Sequence, residues 1–236
     1  MALHSASYKW QALKKRVGGY SFRKRVSRLW EHLQNFRTNK TIDQSATSFV
    51  AQPIGYVVDF FFYMLDIFAV GEFYETLCDW AKYNTRALNA QERAIVKELF
   101  NDAIDVDRVR IDEFALAPRF MRIAYVGVYT INSFGRMSED LFVHELIHIW
   151  QYEKLGSAYI PRALRAQRSV EGYNYGGVDA LRGGSQELFA YNYEQQGDIL
   201  ADYWRAKHKR PTRWKNTGRD VEPYIEFVEQ VREKKC

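Results

Sequence analysis

Residues 138–156 read SEDLFVHELIHIWQYEKLG, and the fold and chemistry of the chain turn on how this stretch is understood. It carries the marks of a helix. Ser138 suits an N-cap, Glu139 and Asp140 lie where the helix dipole favours acids, and Gly156 suits a C-terminal stop. The spacing predicts a helix over 138–154. Inside it His144, Glu145 and His148 stand among Val143, Leu146, Ile147, Ile149 and Trp150, in a chain with only five histidines. Burying such a triplet uncompensated is costly. Either the helix turns these groups to water, or a cation sits among them.

Two histidines at i and i+4 share one helix face, with Cβ atoms about 5–6 Å apart, so both rings can reach one metal ion. Glu145, one residue along, points away from the direct ligand position but can reach a water that the metal activates. This is the HExxH arrangement of zinc peptidases. The bland alternative has both residues as ordinary helix histidines bonded to their neighbours, and chance HExxH matches on solvated helices are common. The apolar flanks argue against it.

A catalytic zinc needs a third protein ligand. His4 and His32 lie in a basic N-terminal arm, and His208 lies in RAKHKR. The extended HExxHxxGxxH pattern is absent, because position 154 is Lys. A carboxylate is therefore needed. The segment YNYEQQGDILADY (191–203) offers Glu194, Asp198 and Asp202 at i, i+4 and i+8. Three acids on one helix face repel one another unless a cation and hydrogen-bonding imidazoles lie alongside.

Composition bounds the rest. The 236 residues are 47% hydrophobic and 16% aromatic, enough for a real core. Two cysteines, Cys78 in a helical stretch and Cys236 at the end, exclude a disulfide framework or a CxxC metal site; we expect one core thiol and one frayed terminus. Residues 1–40 hold ten Lys/Arg and one acid, a local +9 against a total of +5, so the remainder carries −4. With Trp10, Phe22 and Trp30 interleaved, this arm suits an anionic membrane surface or an acidic partner, or is simply a solvated face. Nucleic acid is not an expected partner. No apolar secretory leader is read at the N-terminus.

We expect three parts: a basic helical arm (1–50), a catalytic domain (51–208) and a polar tail (209–236). Residues 54–70, IGYVVDFFFYMLDIFAV, are the most apolar stretch, with Asp59 and Asp66 seven apart on one face. A mostly buried helix with one polar stripe is expected, with a membrane-inserting hairpin as the alternative. A helix is predicted over 88–101 capped by Asn89, strands near 108–112 and over 122–131, a mobile loop over 172–185, a helix over 185–208 and a short one near 221–234.

Four blocks, LNAQERAIVKELFNDAIDVDRVRI (88–111), LFVHELIHIWQYEKLG (141–156), GYNY (172–175) and YNYEQQGDILADYW (191–204), occur in an order that resembles a bacterial family of zinc metallopeptidases linked to type VI secretion, including the C-terminal peptidase domains of some VgrG proteins. Within them, EQQGD has the ExxxD spacing of the gluzincin peptidases. The resemblance implies an α+β, mainly helical fold with a zincin-like core and a small mixed or antiparallel sheet. It implies one zinc per chain held by His144, His148 and Glu194, with Asp198 bonded to the outer nitrogen of His144; Asp202 is read as closer to a plain surface charge. Glu145 would be the general base for peptide hydrolysis, with an oxyanion donor sought among Tyr173, Tyr175, Tyr191, Tyr193 and Tyr203, of which Tyr193 and Tyr203 are the leading candidates. Strand 122–131 would lie beside the metal and pair with an extended protein or peptide substrate. The expected biology is an antibacterial effector, cytoplasmic in its producer, exported by the type VI route and matched by an immunity protein. Peptidoglycan cross-links are an alternative substrate, and a non-enzymatic membrane- or partner-binding module is an alternative class. Residues 1–85 lie outside the resemblance.

Overall fold

The structure, a computed structural model, describes residues 10, 14, 21–38, 51–81, 85–121, 123–214 and 220–233. Cys236, His4 and much of the basic arm lie outside them. In chain order the elements are α1 (Phe22–Thr38), α2 (Ala51–Ile67), α3 (Val70–Ala81), β1 (Thr85–Ala87), α4 (Ala90–Phe100), β2 (Arg110–Asp112), α5 (Leu116–Met121), β3 (Tyr125–Val126), β4 (Thr130–Asn132), α6 (Glu139–Leu155), α7 (Tyr159–Gln167), α8 (Val178–Gly183), α9 (Tyr193–Lys207) and α10 (Ile225–Arg232). The fold is α+β and mainly helical, with one small mixed sheet in the order β1-β2-β4-β3. β2 and β4 run parallel, and the two outer pairs are antiparallel.

α6 is the axis of the core. Every residue from Phe142 to Tyr152 is buried, and the helix packs chiefly on α9, with α7, α4 and β3 around it. Its N-cap is Ser138, and Gly156 ends it with φ +66°, a conformation that disfavours any residue with a Cβ. α4 opens with the expected capping box: Asn89 Oδ1 accepts from Glu92 N (2.9 Å), and Glu92 Oε2 accepts from Asn89 N (2.7 Å). α10 buries Phe227, Val228 and Val231 and packs against α4 and α9.

Several expectations need correction. The strand expected over 122–131 is a hairpin, β3 and β4, because the turn is fixed from outside: one buried carboxylate, Glu75 of α3, accepts from the backbone N–H groups of Val128 (2.6 Å), Tyr129 (3.0 Å) and Thr130 (3.0 Å). The helix expected from 185 begins at Tyr193, since Asn192 caps it by accepting from Glu194 N and Gln195 N. The loop 172–185 contains α8.

A further correction concerns α2. Its buried stripe is the polar one: Asp59 and Asp66 are inside with Tyr63, while Ile54, Val57 and Phe61 face out. The acids are inside because arginines from neighbouring helices meet them. Arg162 and Arg165 of α7 pair with Asp59 (2.8 and 3.1 Å), and Arg25 and Arg28 of α1 pair with Asp66 (3.0 and 3.1 Å). α3 repeats the pattern. Its Glu72 pairs with Arg25 and accepts from Tyr152 of α6 (2.6 Å). Buried ion pairs thus hold α1–α3 together, and Glu72 ties them to α6 through Tyr152. Cys78 is half-buried rather than a core thiol, and it is free.

Candidate metal centre

α6 and α9 cross so that His144 and His148 face the first turn of α9. One donor atom from each of His144, His148 and Glu194 lies within 4.8 Å of the others, and all three residues are buried. Glu194 Oε2 stands 3.2 Å from His144 Nε2 and 3.7 Å from His148 Nε2. The helices can approach this closely because position 197 is glycine: a Cβ there would lie 2.6 Å from two atoms of the His144 ring.

The outer nitrogens are held in the state a ligand requires. His144 Nδ1 lies 2.9 Å from Asp198 Oδ1, and His148 Nδ1 lies 2.9 Å from Gln151 Oε1. Both partners accept, so each Nδ1 donates, and each Nε2 turns toward Glu194. Gln151 is oriented in turn by donating to Tyr193 O (2.9 Å) and Gln196 Oε1 (3.0 Å). Asp198 is held on its far side by the C-terminal segment: Trp214 Nε1 donates to Oδ2 (2.6 Å), and the Arg213 guanidinium lies 3.1 Å from it.

The electrostatics call for positive charge at the centre. Burial works against a charged His144, yet Asp198 and Glu194 outweigh it and lift the ring to about 10. Burial opposes charge on His148 too, but Glu194 raises it. Glu194 is pushed up by burial, and the two imidazoles more than reverse this, holding it well below the usual carboxylate range. Two neutral Nε2 lone pairs facing a carboxylate repel; a shared proton or a metal cation removes the repulsion. The donor set, two imidazoles and one carboxylate, could hold a metal ion. Glu145 follows His144 on the same helix. It is buried, its Oε2 has no hydrogen-bond partner among the described residues, and burial raises its pKa.

The remaining expected residues fall at several places. Tyr173 is nearest the imidazoles, its ring centroid 5.7 Å from that of His144, and its hydroxyl accepts from Gln167. Tyr193 adjoins Glu194, but its hydroxyl accepts from Arg162 (3.1 Å), on the Asp59 side. Tyr203 lies further along α9 beneath Lys207. Tyr175 donates to Asp202 (2.7 Å). Asp202 is not a surface charge: it is fully buried and accepts from Tyr175, Arg205 and the backbone N–H of Arg213, which brings residues 213–214 to Asp198. Sequence reasoning missed Gln151, Gln196, Arg213, Trp214 and Tyr159. Only Gln151, three residues beyond His148 on the same face, left a readable signal. Tyr159 stacks on His148, and its hydroxyl reaches Gly127 O (2.6 Å) at the end of edge strand β3, beside α6.

No protein-family profile matches the chain, and no solved structure matches it significantly. The chain is similar to the type VI secretion system spike protein VgrG2b of Pseudomonas aeruginosa strain PAO1, with 29% identity over 142 residues. That match covers 52% of this chain and only 13% of the length of VgrG2b, so what the two share is a module and not the whole spike protein.

Proposed function

We propose that this chain is a zinc-dependent peptidase associated with type VI secretion, acting as an antibacterial effector. The observation that carries the reading is the buried convergence of His144, His148 and Glu194 beside a carboxylate, Glu145, whose Oε2 has no partner among the described residues. The similarity to a VgrG spike protein supports the secretion link.

A zinc ion held by these residues would supply Lewis acidity toward a carbonyl and a water of pKa about 7. The chain's own residues supply the rest. His144, His148 and Glu194 hold the ion; Asp198 and Gln151 fix the ring orientations, and Trp214 and Arg213 fix Asp198. Glu145 would take a proton from the attacking water and return it to the leaving amine, a role suited to a carboxyl whose pKa burial raises. An extended peptide would add to the edge of the sheet at β3, which Tyr159 ties to the His148 ring.

The test is metal analysis together with activity in cells. Purified protein is expected to hold one zinc, lost in His144→Ala and Glu194→Ala. Glu145→Ala should retain zinc and lose both toxicity and the cleaved proteins seen by proteomics. Toxicity that survives Glu145→Ala would end the peptidase reading. Release of muropeptides from purified sacculi would move the substrate from protein to peptidoglycan.

A further inference from the structure

The inverted polarity of α2 and α3 leaves an apolar surface with no partner among the described residues. Val57 is 69% exposed and Phe61 58% on α2; Phe73 is 59% and Leu77 65% on α3. Scattered exposed apolar residues are ordinary, but two successive helices that bury their acids and expose their phenylalanines are not. Four of the five acids on these helices are turned inward and met: Asp59 and Asp66 by arginines, Glu72 by Arg25, and Glu75 by three backbone N–H groups; the fifth, Asp79 near the end of α3, is half-buried.

We propose that this bent helix pair seats the protein on an anionic lipid bilayer, its apolar faces entering the acyl boundary while α6 and the metal centre stay above it. Three observations select a bilayer. Among the described residues no single helix is long and apolar enough to cross a membrane, but Pro53–Ile67 and Val70–Ala81, bent by 63°, together have the length and composition of a broken or re-entrant membrane segment. Charge complementarity is the second: residues 1–40 carry +9, and α1, which packs on α2, presents Arg23 and Lys24 in exposed positions beside Phe22. The third is aromatic: Trp80 at the end of α3 meets Trp10 edge-to-face at 5.9 Å, and both are exposed, as is Trp30 of α1. Amphipathic indole rings among basic residues favour the membrane–water interface. None of the side chains on this surface belongs to the metal centre, so the inference stands whether or not the peptidase reading does.

The test is co-sedimentation of the full chain with vesicles of phosphatidylcholine, with or without phosphatidylglycerol, and quenching of tryptophan fluorescence by brominated acyl chains. Wild type is expected to bind the anionic vesicles and to be quenched. The triple variant Phe61→Ser, Phe73→Ser, Leu77→Ser should bind at least about tenfold more weakly, because each side chain gives up apolar burial. These side chains are exposed, so thermal unfolding in buffer should not fall, which separates lost docking from lost folding. Replacing Lys9, Lys14, Lys15 and Arg16 by Ser should remove the preference for phosphatidylglycerol. Failure of wild type to bind, or equal binding by the triple variant, overturns the proposal. So does a concentration-dependent dimer that the triple variant abolishes without any vesicle binding, which would assign the face to a second copy.

Discussion

Gly197→Ala offers the sharpest check on the centre, because one methyl group is set against one imidazole. A Cβ at 197 would stand 2.6 Å from Cε1 and Nδ1 of His144 and 2.9 Å from Nε2. No carbon sits that close to a ring, so the ring must move. It cannot move freely, since Nδ1 is held by Asp198 and Nε2 faces Glu194. Two effects on stability oppose each other. Replacing a mid-helix Gly with Ala is worth about 0.8–1.0 kcal/mol in helix propensity. Overpacking costs about 1–3 kcal/mol, so the metal-stripped protein should lose only about 0–2 kcal/mol. Metal affinity has no such offset. Losing the bond that orients a ligand histidine typically weakens metal binding by about 10–100-fold, or about 1.4–2.8 kcal/mol. The assay is titration of stripped protein with zinc against a competing chromophoric chelator, beside urea unfolding of the same sample in excess chelator. The expected result is an affinity loss larger than the stability loss. Zinc affinity within about threefold of wild type, where the orienting bond should be worth at least tenfold, would refute the steric role of Gly197 and the approach of α6 to α9.

Other outcomes follow from the same structure. Trp214→Phe keeps the ring but removes the Nε1 donor to Asp198; zinc affinity should drop by roughly tenfold, with little change in unfolding of the stripped protein, and an unchanged affinity would show that the C-terminal segment does not support the centre. Zinc at about 100 times its Kd should stabilise the wild type by about 2.7 kcal/mol, or roughly 5–11 °C in Tm for a chain of this size, and Glu194→Ala should abolish that increment; an equal increment in the variant would exclude Glu194 as a ligand. Asp59→Ala leaves the Arg162 guanidinium buried without its partner, at about 3–5 kcal/mol and roughly 6–20 °C in Tm; an unchanged Tm would mean that water replaces the carboxylate. His32 is buried between Tyr56 and Tyr63, and burial lowers its pKa below the ordinary 6.5. Below pH 6.5 the unfolded chain therefore binds the proton before the folded one does, so this group's contribution is present above that pH and is lost on acidification. The Tm of His32→Gln should fall less than that of wild type between about pH 7.5 and 5.5, and equal falls would remove His32 from the account.

Much of the centre was legible in the chain itself. The i, i+4 histidines, the acid between them and the apolar flanks all belong to one helix, and helical periodicity is local information; the same holds for Asn89, Ser138 and Gly156 at helix ends. What local periodicity leaves open is which face of an amphipathic helix turns inward. In α2 the run of phenylalanines pointed to the core, yet Arg25, Arg28, Arg162 and Arg165, from segments up to 106 residues away, drew the two aspartates inside and left Phe60 and Phe61 outside. The hairpin at 125–132 was hidden for the same reason, since the carboxylate that bends it belongs to α3. Gln151, Trp214 and the contact between Gly197 and the His144 ring depend on how α6, α9 and the C-terminal segment cross. Sequence alone determined which residues could bind a cation, because ligand spacing is set within single helices. Only the tertiary structure decided that three of them meet, which partners hold the rings, and which side of α2 and α3 is exposed, because those outcomes rest on charges and contours brought together from segments far apart in the chain.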